Sequence, residues 1–108
     1  MELIATPEFL ASIEGLLSDL ELWALEDFVT LHPEAGDRIP GGRGLRKLRW
    51  AVKGKARGKR GGMRVIYYFR VPDRIVFLLA YEKCRKEDLT PDQIATLVVK
   101  IRGGASHG

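Results

Sequence analysis

"LRKLRWAVKGKARGKRGGMRVIYYFRVPDRIVFLLAY", residues 45–81, carries the pattern on which the fold turns. From Leu45 the hydrophobic period is two: Leu48, Trp50 and Val52 fall on one side, Lys47, Arg49 and Ala51 on the other. Alternation of this kind predicts a half-buried strand whose second face is cationic. Met63 to Arg70 repeats it, with Val65, Tyr67 and Phe69 opposing Arg64, Ile66 and Tyr68. Ile75 to Tyr81 is apolar throughout, as expected of a central strand covered on both faces. Val71-Pro72-Asp73-Arg74 reads as a hairpin turn, with Pro72 presetting its φ angle. Three strands joined this way predict an antiparallel meander.

Outward from that centre the period becomes helical. Glu2 to Ala5 reads as a short first strand. Thr6 and Pro7 then open a helix as N-cap and first helical residue, with Phe9, Ile13, Leu16, Leu17 and Leu20 on one stripe. Ser18-Asp19-Leu20-Glu21 is a capping-box pattern that starts a second helix, turning Leu22, Leu25, Val29, Trp23 and Phe28 inward. His32-Pro33 ends it, and an irregular Gly- and Pro-rich stretch runs through Arg43. Beyond the strands, Thr90-Pro91-Asp92-Gln93 starts a last helix whose inner stripe is Ile94, Leu97, Val98 and Ile101. The predicted order is βααβββα, an α+β fold: a small meander sheet with two N-terminal helices and one C-terminal helix. Residues 1–102 form the single domain expected of 108 residues, and residues 103–108 read as a flexible tail.

The composition, 45% apolar and 30% charged, is that of a globular protein. No apolar run approaches the roughly 18 residues that a membrane span needs. Met-Glu-Leu-Ile lacks the basic start of a secretion signal, and the one cysteine, Cys84, excludes an internal disulfide framework. A cytoplasmic setting, with no membrane partner, is the expectation. The net charge of +4 conceals a sharp segregation. Residues 1–37 hold nine Asp or Glu and no Lys or Arg, whereas residues 43–64 hold ten Lys or Arg and no Asp or Glu. A basic block of this density most often meets phosphate. The bland reading is a solvated loop kept for solubility.

Familiar catalytic patterns are absent: no H-x-x-x-H, no Cys–His cluster, no phosphate-loop glycine pattern and no G-x-S-x-G. His32 precedes a proline and His107 lies near the end of the chain, so both read as incidental. Cys84 is flanked by cations but has no histidine near it in sequence. Cations and tyrosines remain. Lys47 and Arg49 project from one face of their strand, Arg64 begins the next, and Tyr81 and Lys83 end the third. If the strands are neighbours, these side chains converge on one face. Such a face suits RNA, because cations neutralise the backbone and tyrosine stacks on unpaired bases. Arg64 stands out: two glycines lie just before it and an apolar strand follows, which positions a guanidinium fork for two phosphate oxygens. The competing reading of Arg64, and of Lys47 and Arg49, is a strand charge that keeps the sheet soluble.

These residues resemble a known family. "GLRKLRWAVKGKARGKRGGMRVIYYF" followed by "LLAYEKCRKEDL" is similar to the RelE/HigB-like toxins of bacterial type II toxin–antitoxin systems, close to the HigB branch. The combination is specific: L-R-K-[LI]-R, a KGK…GKRGG loop, R-[VI]-I-Y-Y, then Y-x-K-x-x-x-x-D-L. The resemblance is strong over residues 44–89 and, by element order, extends over nearly the whole chain. It implies an endoribonuclease that cuts translated mRNA in the ribosomal A site. It also implies docking on ribosomal RNA and neutralisation by a cognate antitoxin, often with a helix-turn-helix part. The family's catalytic cations fall on Lys47, Arg49, Arg64 and Lys83. Lys53, Lys55, Arg57, Lys59 and Arg60 form the expected RNA- and ribosome-binding loop, with Tyr81, Arg85 and Lys86 beyond it. The chain departs from the best-studied RelE-type members, which have an arginine directly after that lysine and a tyrosine further on. Cys84 and Thr90 stand there instead, leaving Arg85 or Lys86 as the replacement cation and Tyr81 as the ring.

No metal or other cofactor is expected, since such cleavage uses the ribose 2′-hydroxyl as nucleophile on the adjacent phosphorus. Arg64, with Lys83 or Arg85 beside it, is the candidate for stabilising charge at phosphorus. Lys47 is the candidate for taking the 2′-hydroxyl proton if neighbouring cations disfavour its charged form, and Arg49 for clamping phosphate. Two alternatives remain at this point: a non-catalytic RNA- or DNA-binding module, and a ParE-like gyrase-directed toxin on the same fold.

Overall fold

The computed structural model of the chain describes residues 2–51, 62–70, 74–82 and 89–107. Their order is β1 (Glu2–Ala5), α1 (Pro7–Ile13), α2 (Asp19–Leu31), β2 (Asp37–Arg38), β3 (Leu45–Trp50), β4 (Met63–Arg70), β5 (Arg74–Glu82) and α3 (Pro91–His107). This is the α+β class that the sequence predicts, with a richer sheet. Five strands lie in the order β1-β5-β4-β3-β2. The meander β3-β4-β5 is antiparallel, β1 joins β5 in parallel, and β2 pairs antiparallel with β3. β2 falls in the stretch expected to be irregular. The expected turn at residues 71–73 lies outside the described residues.

The helices begin where capping chemistry places them. Thr6 Oγ1 accepts the Phe9 N–H at 3.1 Å and donates to the Phe77 carbonyl at 3.0 Å, so one side chain caps α1 and ties it to β5. The Ser18–Glu21 capping box opens α2, with both reciprocal bonds formed. Thr90 and Gln93 exchange the same pair of bonds at the start of α3. Helical backbone in α3 continues past Gly103, where the sequence reading places a tail.

Two apolar clusters sandwich the sheet. On one face Phe9, Ile13, Leu25 and Val29 of α1 and α2 pack against Leu48, Met63, Val65, Tyr67, Ile75, Phe77 and Ala80. On the other, Ile94, Leu97, Val98 and Ile101 of α3 cover Leu45, Ile66, Tyr68, Leu78 and Tyr81. Phe9 and Phe77 stack with ring centroids 5.0 Å apart at the centre of the first cluster. Past the end of β1, the N–H of Ala80 has no strand on that side, and Ser12 Oγ accepts it at 3.0 Å. Glu8 and Lys100, 2.7 Å apart, link α1 to α3, and the hydrogen bond from Lys100 holds the Glu8 carboxyl below its usual value.

Three expected inward residues face out. Leu20 is 72% exposed and Trp23 is 61% exposed, while Phe28 lies at the helix margin against Trp50, centroids 5.5 Å apart. Leu20 leaves the expected stripe because α1 stops at Ile13 and a turn at Gly15, φ +81°, follows it, whereas Trp23 lies on the side of α2 away from buried Leu25 and Val29.

Candidate nucleic-acid interface

The register of the meander decides which side chains share a face. Arg49 lies directly opposite Arg64, and Arg64 directly opposite Tyr81. These three form one cross-strand row on β3, β4 and β5. Directly paired residues project to the same side of a sheet with Cα atoms roughly 4.5–5.5 Å apart, so the row spans about 10 Å. Lys47 opposes Ile66, which opposes Leu79, in the next row of that face. The row beyond holds Leu45, Tyr68 and Val76. The face is therefore graded, cationic near the β3–β4 loop and apolar toward the other end, where α3 lies.

The structure thus brings Lys47, Arg49, Arg64 and Tyr81 together. Their environments differ. Arg49 is exposed, Lys47 partly so, and Arg64 is only 7% exposed. A guanidinium keeps its charge even in such a place, and burial gives that charge a longer reach than it has in water. Tyr81 is also buried, and its ring belongs to the cluster beneath α3. Two arginines directly opposite each other repel. A sheet optimised for stability alone avoids that pairing.

Backbone geometry at the loop mouth holds this row in place. Gly62 has φ +63°, and a Cβ there would sit 2.5 Å from the Trp50 carbonyl oxygen. Glycine lets β4 enter tight against β3 one pair before Arg64. Of the other sequence-predicted residues, Lys53, Lys55, Arg57, Lys59 and Arg60, together with Lys83, Arg85, Lys86 and Cys84, lie outside the described residues.

Sequence reasoning missed two features beside the row. Asp37 on β2 lies directly opposite Lys47, which puts an exposed carboxylate on the cationic face. A two-residue strand leaves no periodicity to read. Tyr67, on the opposite face, is fully buried; its hydroxyl donates to the Pro33 carbonyl at 2.7 Å and accepts the Gly36 N–H at 3.0 Å. Burial pushes the phenol above its ordinary value, against the smaller opposing pull of the Gly36 hydrogen bond. Arg46 donates to the Gly36 and Glu34 carbonyls at 2.7 and 3.2 Å, so this cation serves the loop rather than the row. Among the described residues no group of three or more His, Cys, Asp or Glu gathers as a metal site, and no helix is long and apolar enough to cross a membrane.

The family model described as "RelE toxin of RelE / RelB toxin-antitoxin system" matches residues 37–101, well over half of the chain. The matched region runs from β2 into α3 and includes all three strands of the cationic row.

Proposed function

The chain belongs to the RelE toxin family, and on that premise we propose that it is a ribosome-dependent mRNA endoribonuclease of the HigB branch, neutralised by a cognate antitoxin. The observation that carries the reading is the Arg49–Arg64–Tyr81 row with Lys47 beside it. Such a face attracts a polyanion.

In the proposed reaction the ribose 2′-oxygen attacks the adjacent phosphorus while the bond from phosphorus to the 5′-oxygen breaks. The products are a cyclic phosphate and a free 5′-hydroxyl, the departing 5′-oxygen taking up, through Lys47 or water, the proton that the 2′-hydroxyl gives up. Arg64, held by the central strand β4, stabilises the extra negative charge at phosphorus. Arg49, exposed at its side, clamps a phosphate oxygen through its planar fork. Lys47 is the candidate to accept the 2′-hydroxyl proton, and Lys83 the candidate to assist at phosphorus. Tyr81, buried beside Arg64, is better placed to fix the guanidinium than to stack on a base. A site made mainly of cations moves protons poorly, so orientation of the message by the ribosome supplies much of the catalysis. The basic loop, Lys53 to Arg60, docks on ribosomal RNA in this reading.

The test incubates purified protein with translating ribosomes and a defined message, then maps new 5′ ends. Cleavage confined to the A-site codon is expected. Arg64→Ala, with its fold verified by circular dichroism, should lower the rate roughly 100- to 1,000-fold, as loss of one transition-state donor does. Ribosome binding without new ends would replace this reading with that of a non-catalytic RNA-binding module.

A further inference from the structure

Helix α2 is apolar on two opposite sides, and the fold uses only one. Leu25 and Val29 are buried in the first cluster, with Leu22 packed against it. Half a turn away, Leu20, Trp23 and Leu31 are 72%, 61% and 74% exposed. Their spacings of three and eight residues put them on one outward stripe, with Ala24 and Asp27 between. At 1.5 Å per residue the 13-residue helix presents this stripe over about 20 Å. Its C-terminal end borders an open surface hollow of about 570 Å³ lined by Phe28, Leu31, His32, Pro33, Glu34 and Ala35. An outward apolar stripe ending in a concave site is the form of a surface that receives a helix.

The surrounding charge identifies the occupant's chemistry. Residues 1–37 contain nine carboxylates and no Lys or Arg, and Asp19, Asp27 and Glu34 lie exposed along the stripe or at the hollow. A second copy would have to offer its cationic row, which lies on a sheet face already partly covered by α3. An amphipathic helix with apolar anchors and flanking Lys or Arg meets both the stripe and the charge. Resting on the antitoxin partner that the toxin–antitoxin reading supplies, we propose that the outward face of α2 anchors a cationic amphipathic helix of the antitoxin. One apolar side chain of that helix rests against the hollow at the end of α2. The stripe lies on the helices that cover the first cluster, on the opposite side of the sheet from the Arg49–Arg64–Tyr81 row. The anchor is therefore separate from the substrate face.

The test uses the full-length chain and the purified product of the antitoxin reading frame beside its gene. Trp23→Glu with Leu31→Glu should weaken antitoxin binding at least about 100-fold, the scale of two anchor residues at an interface centre. Message cleavage on ribosomes should be unchanged, and Arg64→Ala should still bind antitoxin as wild type does. Unchanged antitoxin affinity in the double variant overturns the proposal. As a second measurement, a photo-crosslinking residue at position 23 of the otherwise native chain should capture the antitoxin. Capture of a second copy of the toxin, or no capture in a complex that forms, overturns it as well. An antitoxin that fails to bind the wild-type chain removes the premise and the proposal together. Failure of cleavage with binding intact strikes only the nuclease reading.

Discussion

Gly62→Ala separates backbone strain from strand spacing at the cationic row. Gly62 sits at φ +63°, and an added Cβ meets three backbone atoms: the Trp50 oxygen at 2.5 Å, the Ala51 Cα at 3.1 Å and the Trp50 carbon at 3.3 Å. Gly41 has a comparable φ of +76° but open space where its Cβ would go. Left-handed backbone costs an L-residue about 1–2 kcal/mol, and Gly41→Ala should show that cost alone. At Gly62 the clash is with backbone, which no rotamer change relieves. Overpacking of this kind adds about 1–3 kcal/mol, for a total near 2–5 kcal/mol.

For a domain of this size, each kcal/mol lowers Tm by roughly 4–8 °C, so Gly62→Ala should melt about 8–40 °C below wild type. Urea titration and thermal melts of wild type, Gly41→Ala and Gly62→Ala give the three values needed. Relief of the clash moves β3 from β4 beside Met63, one pair from the Arg49–Arg64 pairing. Ribosome-dependent cleavage should therefore fall by about 100-fold, because displacement of a catalytic group by ~1 Å has that effect. Gly41→Ala should cleave at the wild-type rate. A Gly62→Ala protein within about 0.5 kcal/mol of Gly41→Ala would refute the steric argument.

Tyr67→Phe removes the hydroxyl that bridges the Pro33 carbonyl and the Gly36 N–H, leaving both without that partner. Stability should fall by about 2–4 kcal/mol in denaturant titration, and a value below 0.5 kcal/mol would mean that water replaces both bonds. Glu26 has its carboxyl raised above the ordinary value, first by burial and then by neighbouring Asp27. The folded state therefore holds this proton more tightly than the unfolded chain, so the destabilisation it causes at neutral pH disappears as pH falls through the raised value to the ordinary one. Glu26→Gln should be more stable than wild type at pH 7 and equal to it at pH 3; a gain that persists unchanged at pH 3 would assign the effect to something other than this proton.

The sheet was legible because period two survives even where one face is cationic: Lys47 and Arg49 alternate with Leu48 and Trp50 in sequence as in space. The caps at Thr6, Ser18 and Thr90 were legible because few residue types perform that chemistry. Cross-strand rows were not. Pairing of Arg49 with Arg64 depends on the length and conformation of the loop between them, which the charge pattern leaves open. β5 adds a further shift between Ile66 and Tyr67, so that Leu78 and Leu79 both belong to the cluster under α3. Outward Leu20 and Trp23 were misread for another reason: hydropathy marks a residue as apolar without saying which side of its helix faces the core.

The division of charge along the chain becomes a division of surfaces. The carboxylate-rich first third builds β1, α1 and α2, whose helices cover one face of the sheet, while Lys47, Arg49 and Arg64 project from the other. Between them lie the clusters around Phe9–Phe77 and Tyr67. Asp37, facing Lys47 from the two-residue edge strand, is the one carboxylate of that acidic third paired in register with a cation of the row's face, among the described residues. Its exposed edge position lets water screen it, so it tempers Lys47 without cancelling the field of buried Arg64.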